Sequence, residues 1–101
     1  MEMQLTIDDF EPHVRLVNSG NDLAIVTLEI CNELPIRGFR ITRSKWLHRK
    51  FQEKIYIQPP TILEGTCRYW LAYVKDKKLW AAIEEKIYDK FCLVREALRN
   101  A

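Results

Sequence analysis

The apolar residues of this chain change their period near Asp76, and that change limits the possible folds more than any other feature. From Asp76 onward, Trp80, Ile83, Ile87, Phe91, Val94 and Leu98 recur three or four positions apart, which is the stripe of one helix face. Asp76 has the short acceptor side chain of an N-cap, and Arg95 and Arg99 stand in or near the final turn, where cations complement the helix dipole. The spacing predicts a single helix over 77–99. At about 1.5 Å per residue such a helix is ~34 Å long.

Before Asp76 the period is two. Residues 23–31 read LAIVTLEIC, with Ala24, Val26, Leu28 and Ile30 on one face and Thr27 and Glu29 on the other. A shorter strand, Val14 to Asn18, precedes it, and the turn formers Asn18 to Asp22 close a hairpin between the two. After the punctuation of Asn32 and Pro35, Ile36 to Thr42 alternates with Phe39 and Ile41 on one side and Gly38, Arg40 and Thr42 on the other. Lys54 to Gln58 alternates likewise, Ile55 and Ile57 inward, until Pro59-Pro60 ends the run.

The expected architecture is α+β: a small antiparallel sheet of three to five strands followed by a long C-terminal helix, in a single domain spanning 1–101. A six-residue strand covers only about 20 Å, so the helix should overhang its own sheet, and the distal stripe needs another surface. A second copy is the simplest source, which predicts a homodimer through Trp80, Ile87, Phe91, Val94 and Leu98. Tyr69, Trp70, Tyr73, Trp80 and Tyr88, crowded about the helix start, suit core or interface better than a ligand box.

Net charge is only +2, but its distribution is uneven. Residues 1–36 hold seven acids against Arg15, whereas 37–54 hold Arg37, Arg40, Arg43, Lys45, Arg49, Lys50 and Lys54 against Glu53 alone. A local excess of this size acts over roughly 10 Å at ordinary salt. Within it, Arg43, Lys45, Trp46, Arg49, Lys50 and Phe51 mix cations with aromatics, a composition suited to phosphates and stacked single-stranded bases. The plainer reading is a solvated loop or short helix whose Trp46, Leu47 and Phe51 dock on the sheet. A third is an acidic protein partner for the same loop. If the last two strands pair, Arg40 and Tyr56 share a face beside Gly38, an open platform for RNA or a surface covered by the loop or by a second subunit.

In order and spacing, the segments Val14-Arg15-Leu16-Val17, Phe39-Arg40-Ile41, Tyr56-Ile57-Gln58-Pro59-Pro60, Gly65-Thr66-Cys67-Arg68 and the helix opening near Lys77 resemble the SpoVG (stage V sporulation protein G) family over residues 14–91. The resemblance implies a small, dimeric bacterial regulator that binds DNA or RNA, with Arg68 at a basic position of the family pattern. Two departures stand out. Thr61-Ile62-Leu63 follows the prolines where the family tends to carry Ser and basic residues, and the link holding Arg43, Lys45, Arg49 and Lys50 is longer. The nucleic-acid contact expected of this chain is therefore Arg40, Arg43, Lys45, Trp46, Arg49, Lys50, Lys54, Tyr56 and Arg68.

Catalysis finds little footing. His13 and His48 lack metal-ligand spacing, no Ser stands in a GxSxG elbow, and the acid pairs Asp8-Asp9 and Glu84-Glu85 read as solvated polar surface. Cys31, Cys67 and Cys92 are odd in number, form no CxxC pair and have no adjacent base, so they read as buried or half-buried small residues of a reduced compartment. No cofactor, metal or enzyme activity is expected. With no signal-peptide pattern and no apolar run near the roughly 20 residues of a membrane helix, the expected setting is cytoplasmic, without membrane contact.

Overall fold

The computed structural model describes residues 5–64, 66–70 and 74–100, with segments 62–64 and 67–70 in backbone pairing alone. Strands β1 (Phe10–Ser19), β2 (Asp22–Ile30), β3 (Leu34–Arg43) and β4 (Ile55–Gln58) form one antiparallel sheet in that order. A second hairpin, β5 (Thr61–Glu64) with β6 (Cys67–Trp70), precedes the helix α1 (Lys77–Arg99). The α+β architecture is thus the one the two periods call for.

Helix α1 begins and ends where its sequence directs. The Asp76 carboxylate accepts from the Lys78 and Leu79 amides at 2.9 and 3.2 Å, satisfying two of the unpaired donors of the first turn. Asn100 closes the other end, its amide donating to the Glu96 carbonyl at 3.1 Å. Ile83, Ile87 and Phe91 are buried against Ala24, Val26, Leu28, Phe39, Ile41, Ile55 and Ile57, which form the inward face of the sheet. Lys86 fastens the chain's start to the helix by donating to the Phe10 and Ile7 carbonyls at 2.7 and 3.1 Å.

The sheet is longer than the sequence suggests. β1 and β3 have ten residues each, or ~33 Å at about 3.3 Å per residue, so α1 does not overhang it. β1 starts at Phe10 and includes Pro12; as an edge strand it tolerates a residue that cannot donate. The expectation of Ile87 and Phe91 as dimer contacts is corrected accordingly: both belong to this chain's own core. Trp80 is half-buried and stacks on Phe39 at 6.2 Å, and Val94 is half-buried. Of the expected contacts only Leu98 is strongly exposed, and it is joined by Leu93.

Turns and bulges set which face each side chain takes. Gly20 (φ 60°) turns β1 into β2, and Cys31 and Asn32, both with positive φ, turn β2 into β3. Cys31 is therefore an exposed turn residue, against the expectation of burial. In β3 the register passes from Val26↔Phe39 to Leu28↔Ile36, leaving Arg37 and Gly38 opposite Thr27. This is a β-bulge. It lets Ile36 and Phe39, three positions apart, both face the core. Gly38 has φ 103°, and a Cβ there would stand 3.2 Å from the Pro60 Cβ. Gly38→Ala should therefore cost about 1–3 kcal/mol, read as a lower urea midpoint with an unchanged slope.

Candidate nucleic-acid interface

Since α1 occupies one face of the sheet, the side chains of opposite parity form an outer face. Cross-strand pairing aligns Arg15, Ile25, Arg40 and Gln58 in one row over all four strands. His13 lies opposite Thr27, and Tyr56 opposite Thr42. Arg40 and Tyr56 thus share a face, with Tyr56 45% exposed. Two side chains here have acidic partners: Arg40 Nη1 lies 3.2 Å from Asp22 Oδ2, and His13 Nε2 lies 3.4 Å from Glu29 Oε2. Arg15 and Arg37 have no side-chain hydrogen bond or ion pair among the described residues. Two concavities adjoin: one of about 130 Å³ between Arg37, Gly38, Arg40, Gln58 and the two prolines, and one of about 440 Å³ floored by Ile25 and Thr27 between His13, Arg15 and Arg37.

The basic segment between β3 and β4 turns the other way and docks on α1. The His48 ring stacks on Phe51 at 4.3 Å, and Phe51 on Tyr88 at 4.1 Å with the planes 7° apart. His48 Nδ1 accepts from the Lys50 amide at 3.2 Å, which assigns the proton of the neutral ring to Nε2, 3.3 Å from Glu84 Oε2. These two side chains are only 17% and 16% exposed. Lys50 Nζ reaches Glu85 at 2.7 Å. Glu84 and Glu85, expected to be idle solvated charges, instead hold the loop.

In the same contact, Glu53 accepts from the Tyr88 hydroxyl at 2.7 Å and from both Arg95 terminal nitrogens at 2.7 and 3.2 Å. The Arg95 guanidinium also lies 4.5 Å from the Phe91 ring centroid. The Arg95 hydrogen bond, with a further contribution from Tyr88, holds the Glu53 carboxyl below its usual range despite partial burial. The same carboxylate raises the Tyr88 phenol and the Arg95 guanidinium above theirs. Arg95 thus serves Glu53 rather than the helix dipole alone.

The residues expected to contact nucleic acid are therefore divided. Arg40 and Tyr56 are on the outer face; Lys45, Trp46 and Arg49 are on the exposed loop without side-chain partners among the described residues, Trp46 being 79% exposed. Trp46 and Leu47 do not dock on the sheet; only Phe51 is packed in. Arg43 donates to the Gly20 carbonyl at 2.9 Å, Lys50 is taken by Glu85, and Lys54 is exposed. The side chains of Arg68, Cys67, Tyr69 and Trp70, and all of Tyr73, lie outside the described residues.

Arg15 and Arg37 were not among the expected contacts. Strict alternation already places Arg15 opposite Val14 and Leu16. Arg37 required recognition of the bulge, whose sequence signal is a glycine inside a strand with Ile36 and Phe39 three apart. Among the described residues no group of three or more His, Cys, Asp or Glu could hold a metal, and no helix is long and apolar enough to cross a membrane. No family model matches the sequence, and comparison with curated proteins and with solved structures finds no match.

The Glu53 contact generates a pH prediction. A carboxyl whose folded pKa is depressed stabilises the fold above its unfolded pKa and loses that contribution as pH falls through the folded value. Glu53→Gln should cost on the order of 1–2 kcal/mol at pH 7, discounted for the pair's partial exposure. Urea titrations of the two proteins should converge as pH falls below the ordinary carboxylate range.

Proposed function

We propose that this chain is a non-catalytic nucleic-acid-binding regulatory protein, of DNA or RNA, acting as a homodimer, and that the outer sheet face is its principal contact surface. The observation that carries this reading is the pair of guanidinium groups of Arg15 and Arg37, without ion-pair partners among the described residues, on a sheet face shared with exposed Tyr56. Arginine forks bind phosphate oxygens in bidentate fashion, and an exposed ring on a sheet offers a stacking surface for an unpaired base. Lys45, Trp46 and Arg49 supply a second, smaller contact on the loop. The resemblance to the SpoVG family points the same way. Exposed Leu93 and Leu98 at the end of α1 supply apolar surface for self-association.

One observation favours the competing reading, a protein-interaction module whose basic loop meets an acidic partner. Trp46 and Leu47 are exposed side by side between Lys45 and Arg49, a Trp-Arg composition common at protein interfaces.

Titration of labelled single- and double-stranded oligonucleotides at several salt concentrations separates the two. Binding to the outer face should weaken linearly in log salt, and removing Arg15 and Arg37 together should flatten the single-strand slope by about 0.7 per lost phosphate contact. Lys45→Ala with Arg49→Ala should have the smaller effect. No affinity for any oligonucleotide at low salt would overturn the proposal and leave the acidic partner. Sedimentation should give a mass near twice the 12.1 kDa of the chain, falling toward a single copy in Leu93→Asp/Leu98→Asp.

A further inference from the structure

Resting on that reading and deepening it, we propose that the Gly38 bulge builds a nucleoside-phosphate site for one unpaired nucleotide of a single strand, with the phosphate in the smaller concavity, the base in the larger, and Arg37 between them.

The bulge is what creates the site. By placing two residues of β3 against Thr27 alone, it brings Arg37 and Gly38 to the outer side together. Gly38 then lies against Pro60 so closely that a Cβ would stand 3.2 Å from the Pro60 Cβ. Pro59 and Pro60 are buried, so this wall is stiff. The space, about 130 Å³ and partly open to solvent, is the smaller of the two and has room for a phosphate group. Arg40 is already shared with Asp22 at 3.2 Å. Arg37, which has no such partner among the described residues, supplies the charge that a phosphate would meet.

The neighbouring concavity differs in size and lining. Its volume is about 440 Å³, and its floor is Ile25 and Thr27, with His13, Arg15 and Arg37 around them. A mixed floor of one aliphatic and one hydroxyl side chain, edged by two arginines, suits a flat, polarisable ring bearing acceptors at its rim. Arg37 lines both spaces, so the two ligand halves are adjacent, as a base and its own phosphate are. A duplex cannot present a base this way without unstacking it, so the site selects single strands.

The test uses adenosine 5′-monophosphate, adenosine and inorganic phosphate as small probes, followed by amide chemical shifts, and a labelled ten-nucleotide single strand followed by anisotropy. The wild type should bind the monophosphate at least tenfold more tightly than adenosine, with shifts at Thr27, Arg37 and Gly38. Arg37→Ala should lose the monophosphate and weaken the oligonucleotide tenfold or more, with unchanged circular dichroism. Lys77→Glu, a charge reversal at an exposed position at the start of α1, should leave the monophosphate affinity unchanged. If Arg37→Ala does not fold, Arg37→Lys decides: loss of the bidentate fork should weaken the monophosphate several-fold, and unaltered affinity would overturn the site. Should the wild type bind the oligonucleotide but not the monophosphate, with Arg37→Ala indifferent, this site falls while the nucleic-acid reading stands. Absence of oligonucleotide binding in the wild type overturns that reading itself. Arg37-dependent monophosphate binding without oligonucleotide binding overturns the single-strand assignment in favour of a free nucleotide.

Discussion

The burial of α1 across one face of the sheet is the interaction on which the rest depends. Ile83, Ile87 and Phe91 are almost completely removed from solvent against the β2, β3 and β4 side chains. At about 1.5–3 kcal/mol for each such side chain, the three together rival the ~5–15 kcal/mol net stability of a small domain. The exposed ion pairs that decorate the surface are worth ~0–1 kcal/mol apiece. They orient elements that hydrophobic burial has already brought together. Because the helix can cover only one side of a four-stranded sheet, the fold itself leaves the second side for polar and charged residues.

The same helix also redistributes the charge of the basic segment. Seven cations lie between residues 37 and 54, but they do not act as one patch. Stacking of His48, Phe51 and Tyr88 carries the loop onto α1, where Glu84 and Glu85 meet His48 and Lys50. Glu53, the segment's single acid, is engaged by Arg95 and Tyr88 from the helix. The field left on the loop is that of Lys45, Arg49 and Lys54, while Arg37 and Arg40 contribute to the outer face. One run in the sequence becomes two surfaces in space.

Most of the architecture was legible because it rests on local periodicity. The limits of α1, the inward residues of β2 and β4, and the shared face of Arg40 and Tyr56 follow from repeats of 3.6 and 2. Three features were not legible in this way. Two-against-one bulges shift parity without altering composition; strand length depends on a partner's length; and Cys31 was read as the end of a strand although it takes a positive φ in the following turn. The dimer expectation for Ile87 and Phe91 came from a sheet assumed to be too short for its helix.

The candidate site shows the same division. Its residue types were visible in the sequence, since arginines, an aromatic and a glycine on alternating strands already define a polar sheet face. Which arginines face one another was not visible. Arg15 and Arg37 are 22 positions apart and meet across β2 only because two hairpins and one bulge align them. Likewise, Glu84 and Glu85 became anchors for a loop some 35 positions away only after α1 had packed. The sequence by itself determined the elements and their buried faces, since these depend on side-chain period within a single segment. Tertiary structure alone decided which charges are neutralised and which remain free, because electrostatic pairing depends on distances between segments that no local pattern contains.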